Sequence, residues 1–232
     1  MRWLRAAAAI AMLSCVSAAP VGVDPKNPSC PLAPNWSDYP EMRFTLKKDG
    51  DARILLAEGR VDQGVEARLA DALEANKPID EIWLRSPGGS ASAGNDAGRF
   101  IRSLNIPTRI PTGWACFSAC NFVFMGGPIR FVDPGGLFIV HMFTHLADRT
   151  AVKDELSRGT DETIEMIGDI EQGSALLASE DNDFLIRMGV SRKLLTEVMY
   201  RQKAIEGQGD DKSTRRCLSQ DELFKYNVAN AR

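Results

Sequence analysis

Residues 79–94 read IDEIWLRSPGGSASAG. Residues 79–85, IDEIWLR, read as a strand that delivers the chain into a turn. Ser86-Pro87-Gly88-Gly89 is a small-residue turn, and from Ala91 to Leu104 the apolar spacing becomes helical. A strand passing through a glycine turn into a helix is the unit of α/β folds, whose sites lie at the carboxyl ends of parallel strands. Without Cβ atoms the turn can approach a bound molecule closely, and a helix start leaves N–H groups unpaired. The spacing is neither a Walker loop nor a dinucleotide fingerprint, so no phosphate cradle follows from it.

The same alternation of strand and helix extends to both sides. Residues 42–47 and 53–58 read as short strands joined by the turn Lys48-Asp49-Gly50-Asp51, and residues 63–76 carry a helical stripe at Val65, Leu69, Ala70 and Leu73. Strands are expected at 108–111, 130–132 and 137–141, with a compact helix at 118–125 closed by Gly126-Gly127. Residues 153–178 form a charged pattern with sparse apolar positions, expected as one long exposed or interface helix. A more buried helical pattern spans 184–200, a polar loop 204–214, and a last helix begins at 219.

Two short stretches carry nucleophilic chemistry. Ser118 stands in Gly113-Trp114-Ala115-Cys116-Phe117-Ser118-Ala119-Cys120, and His141 follows it by 23 residues at the end of Leu137-Phe138-Ile139-Val140. A serine can attack, a histidine can take its proton, and a glycine turn can offer N–H donors, three parts of acyl-transfer chemistry. Each also has a plain structural reading: Ser118 as a helix cap, His141 as a core residue, Gly88-Gly89 as an ordinary turn. The G-x-S-x-G elbow is absent. His145 gives HMFTH metal spacing but no acid stands inside it, and Cys116 and Cys120 lack a second nearby ligand pair, so no metal is expected.

The N-terminus begins Met1-Arg2-Trp3-Leu4-Arg5, continues as a short apolar run and ends in small residues through Ala19. That is a secretory signal, expected to be cut after Ala18. A variant reading takes Met12-Leu13-Ser14-Cys15 as a partial lipobox, in which case Cys15 would carry a lipid and anchor the protein to a membrane. Residues 19–40, with six prolines from Pro20 onward, read as an extended entry segment, and residues 41–232 as one domain. No other apolar run approaches the roughly 20 residues of a transmembrane helix. Loss of residues 1–18 takes the net charge from −3 to −5, and with no basic patch nucleic-acid binding is not expected. Cys30, Cys116, Cys120 and Cys217 remain, an even number that suggests two disulfides with three possible pairings.

Taken in order, Glu58-Gly59-Arg60-Val61, residues 79–94, SACNFVFMGG and RFVDPGGLFIVH resemble the ClpP serine peptidases of the ClpP/crotonase superfamily, well over 53–145 and loosely over 180–230. The interval of 29 residues from Gly89 to Ser118 matches that family. The resemblance implies a repeated ββα spiral with a mainly parallel sheet and a C-terminal helical part. It implies Ser118 as nucleophile, His141 as general base, and the N–H groups of Gly89 and Ala119 as an oxyanion hole. It implies no cofactor, a peptide or unfolded-protein substrate, and a homo-oligomer contacting through 153–178. An exported compartment lacks ATP, so no ATPase partner is expected. The family's aspartate has no counterpart: one alignment puts Arg215 there and another Gln202, which leaves Glu206, Asp210 and Asp211 of the polar loop, with Asp211 slightly preferred. If Cys217 sits where the resemblance puts it, a bridge to Cys120 or Cys116 would brace that position. The rival reading is a catalytically inactive binding or scaffold protein. A third, a superfamily relative acting on thioesters, finds no support in any nucleotide-binding feature.

Overall fold

The computed structural model describes residues 22–144, 149–206 and 213–232. The expected signal at 1–18, Cys15, His145, Asp210 and Asp211 lie outside the described residues. Two short strands open the fold, β1 (Val23–Asp24) and β2 (Asn27–Pro31), paired antiparallel. The proline-rich segment is therefore extended but folded back on itself as a hairpin.

The main sheet has five strands: β3 (Arg43–Asp49), β4 (Ala52–Glu58), β5 (Glu81–Arg85), β6 (Thr108–Ile110) and, beyond it, β8 (Arg130–Val132). The first pair is an antiparallel hairpin and every later pairing is parallel. A second sheet places β9 (Leu137–His141) between β7 (Ala115–Phe117), parallel, and β10 (Arg215–Cys217), antiparallel. The sheets meet where β5 ends: Ser86 N–H donates to Ala115 and Phe117 N–H donates to Ser86, at 3.0 and 3.1 Å. That junction brings the Pro87-Gly88-Gly89 turn against the start of the Ser118 segment. β10 was not expected from the sequence, because Arg215 and Arg216 hide a three-residue strand behind a polar loop.

Helices α1 (Val65–Asn76), α2 (Ala91–Leu104) and α3 (Cys120–Met125) connect the strands. α2 and α3 pack closely enough that a Cβ on Gly94 would stand 2.6 Å from the Ala119 carbonyl oxygen and one on Gly98 2.4 Å from that of Phe122. Only hydrogen at those positions lets the backbones approach. Met42, Leu55, Ile82, Leu84, Ile101, Phe124 and Phe138 fill the core between sheet and helices.

The single helix expected at 153–178 is two: α4 (Arg149–Arg158) and α5 (Thr160–Arg187), broken at Gly159, whose φ of 142° suits glycine alone. Phe184 and Leu185, expected to open the next helix, are instead the buried end of α5. Gly189 turns the chain into a π-helical turn (Leu194–Val198), a 3₁₀ turn (Met199–Arg201) and, later, α6 (Gln220–Lys225). Among the described residues no helix is long and apolar enough to cross a membrane.

The cysteines pair Cys30–Cys217 and Cys116–Cys120. This overturns a bridge from Cys217 to Cys116 or Cys120 and takes both of the latter out of zinc chemistry. Cys30–Cys217 ties the N-terminal hairpin to β10 across 187 residues. A loop of that length confines the unfolded chain strongly, so replacing both cysteines by alanine is expected to lower unfolding free energy by about 2–4 kcal/mol. Urea denaturation checks this. A loss no larger than that from removing the four-residue Cys116–Cys120 loop would contradict it.

Candidate active site

Ser118 does not cap a helix. It lies between β7 and α3 with φ at 58°, in the left-handed region, where a residue carrying a Cβ is strained. That turn is bracketed by the Cys116–Cys120 disulfide, whose Cα atoms are 5.4 Å apart, within the ordinary 4.4–6.8 Å range. Because Cys116 belongs to a strand and Cys120 to a helix start, the bond spans a turn and no regular helix is forced to accommodate it. Held this way, Ser118 Oγ stands 2.6 Å from His141 Nε2.

His141 ends β9, parallel to β7, so the strand pairing sets the distance between the two side chains. Its ring packs against Phe117 with centroids 4.8 Å apart, and Phe117 in turn stacks on Trp36. Burial pushes the imidazole below the ordinary histidine value, partly offset by a hydrogen bond to the Met142 backbone. A bond that favours the protonated ring must be accepted by the carbonyl. With Nε2 facing Ser118 Oγ, the tautomer that carries its proton on Nδ1 leaves the Nε2 lone pair for the serine.

Gly89 and Ala119 line the same pocket as Ser118 and His141. Among the described residues neither backbone N–H donates a hydrogen bond. Gly89 is held by Val61, with Ser90 N–H donating to Val61 O at 2.7 Å and Val61 N–H donating to Gly88 O at 2.9 Å. At its φ of 154° a Cβ would fall 2.0 Å from the Val61 oxygen, so no side chain fits there. Two such donors beside the half-buried Ser118 hydroxyl suit an oxygen that gains negative charge.

Of the acids expected nearby, Asp210 and Asp211 lie outside the described residues, and Glu206 is turned to a lysine. Arg215 sits directly opposite His141 in the β9–β10 register, and its guanidinium pairs at 2.7 Å with Asp24. Hydrogen bonds from the Asn27 side chain, the Lys26 backbone and Arg215 hold that carboxyl down at about 2. Glu206 pairs with Lys26 at 2.8 Å, and Gln202 donates to the Val198 carbonyl. The carboxylate that does line the pocket is Asp181 of α5, 5% exposed. The sequence carried a signal for it: Asp181 falls on the stripe Leu177, Phe184, Leu185, Met188, where helical spacing calls for an apolar residue. The expected helices stop at 178 and resume at 184, so Asp181 fell between them, whereas α5 runs unbroken through it.

No protein-family model matches the chain, and no curated protein matches it. Among solved structures, a ClpP1 mutant from Listeria monocytogenes is similar, with a TM-score of 0.52 and 14% identity over 77% of this chain and 89% of that one. At that identity the likeness concerns the fold alone: this chain has a ClpP-like α/β fold.

Proposed function

We propose that this protein is an exported, ATP-independent serine hydrolase, acting on peptides, with Ser118 as nucleophile and His141 as general base. The observation that carries this reading is the 2.6 Å contact between Ser118 Oγ and His141 Nε2 beside the two unpaired N–H groups of Gly89 and Ala119. As Ser118 Oγ bonds to a carbonyl carbon, its proton passes to Nε2 and the carbonyl oxygen takes the electron pair. The two amides stabilise that oxyanion, a donor of this kind being worth about 3 kcal/mol in the transition state. His141 then gives the proton to the leaving amine as the C–N bond breaks, and water releases the acyl group by the same steps.

The Met142 carbonyl takes over one task of an orienting aspartate, holding the ring, without supplying its charge. The two disulfides fit an oxidising compartment. Exposed Leu156, Ile164, Ile167 and Leu176 on α4 and α5 support self-association through those helices, and the similarity in fold supports the repeated ββα arrangement.

Arg215 opposite His141, where an acid was sought, favours one rival, a scaffold that keeps the pocket without catalysis. Covalent labelling by a fluorophosphonate decides between them. The labelling rate is expected to rise with pH as His141 loses its proton, with a midpoint below the ordinary 6.5, and to stay level above it. The absence of any labelling in folded protein establishes the scaffold; a midpoint above 7 instead reveals an ionised acid beside the histidine.

A further inference from the structure

Asp181 is nearly completely buried, yet among the described residues its only hydrogen bond comes from a neutral amide, Asn95 Nδ2, which donates to Oδ1 at 3.2 Å. Among the described residues no lysine or arginine reaches ion-pair distance of it. Arg99, whose charge acts on it, turns to Asp96 and to the Phe184 ring. Asn95 Oδ1, beside the carboxyl group, is itself buried without a partner. A charge kept out of water with one amide donor is costly, and such groups are ordinarily paired.

The unpaired carboxylate lines the pocket that holds Ser118 and His141, with Phe122 and Met199 as apolar wall. The pocket has a volume of about 160 Å³, well below the roughly 300–1,000 Å³ that receives a whole drug-sized ligand. It is sized for one side chain. An aliphatic stem along Phe122 and Met199 ending in a cation would meet an acid that no cation among the described residues pairs.

We propose that this pocket binds the lysine or arginine side chain of the residue whose carbonyl is presented to Ser118, with Asp181 as the counter-charge. This rests on the hydrolase reading above and adds a substrate class to it. Burial pushes the Asp181 carboxyl up to about 6, so it is ionised at pH 7.5 and protonated near pH 5. The groups facing it are Asn95 and Arg99 from α2, Glu180 on its own helix, Tyr200 of the 3₁₀ turn and, across the pocket, His141. Preference for a basic side chain therefore strengthens as pH rises from 5 to 7.5.

The test compares p-nitrophenyl esters of Nα-blocked lysine and of norleucine, which replaces the ammonium by a methyl group. At pH 7.5 the ratio of kcat/KM, lysine over norleucine, is expected to be tenfold or more, to shrink toward pH 5, and to approach one in Asp181→Asn. A wild-type ratio of one or less at pH 7.5 overturns the proposal. A second measurement needs no turnover: n-butylammonium should raise the Tm of wild type at pH 7.5, n-butanol should not, and Asp181→Asn should lose the shift. If neither ester is cleaved and Ser118 takes no label, the hydrolase reading falls alone; the amine shift then supports or overturns the cationic pocket by itself. Asp181→Asn should also melt higher than wild type at pH 8 but not at pH 4. The elevated carboxyl binds a proton more tightly folded than unfolded, so its penalty grows as pH rises from the ordinary carboxyl value of 3.8 and is complete above about 6.

Discussion

Ser118→Ala is expected to remove covalent labelling by a fluorophosphonate and to lower hydrolysis of an activated ester on the order of 10⁴-fold or more, leaving the fold in place. Ser118 Oγ is the atom within proton-transfer distance of His141, and the two side chains act as one unit. His141→Ala should cost about as much, and the double variant little more. The residual rate in all three comes from the Gly89 and Ala119 amides and from substrate binding. Ser118→Gly separates catalysis from folding. Glycine relieves the left-handed φ of 58° and is expected to stabilise the chain by roughly 1 kcal/mol while losing all labelling. Equal labelling of Ser118→Ala and wild type would place the reactive group elsewhere and end the Ser118 reading.

Arg130→Met is expected to lower unfolding free energy by about 3–5 kcal/mol. The side chain is fully buried on β8 and donates only to carbonyls: Val228 at 2.7 Å, Asn227 and Gly127 at 2.8 Å, and Met188 at 3.3 Å. Gly127 and Met188 keep a second donor in Arg102, but Val228 and Asn227 are left without one. Val228 is buried, and such an orphan costs about 1–3 kcal/mol; Asn227 is exposed and loses a charge-assisted bond but can turn to water. Desolvation, with Arg102 nearby, pulls the guanidinium down to about 10, so it stays charged at neutral pH. Arg130→Lys keeps a charge but not the planar set of donors, and should fall between wild type and methionine. Urea denaturation with unchanged m, and faster amide exchange at Val228 to Asn230, are the readouts; a loss under 1 kcal/mol contradicts the assignment.

Legibility followed the range of the forces involved. The parallel α/β order could be read because the strand at 81–85 and the helical spacing in 91–104 rest on local properties of the chain. The long C-terminal helix was misjudged where a single glycine, Gly159, broke it. Asp181 and Arg130 were missed for another reason. A charged residue reads as solvent-facing until the tertiary packing around it is known, and both are buried by segments distant in sequence.

By itself the sequence determined the order of strand, glycine turn and helix, and the candidates Ser118, His141, Gly89 and Ala119. The order depends on local backbone preferences, and the four candidates on motifs in sequence that resemble the ClpP peptidases. Only the tertiary structure decided the cysteine pairing, the arginine opposite His141 and the unpaired acid beside the serine. Strand register and helix packing join residues tens to nearly two hundred positions apart, and no local pattern encodes which of them will meet.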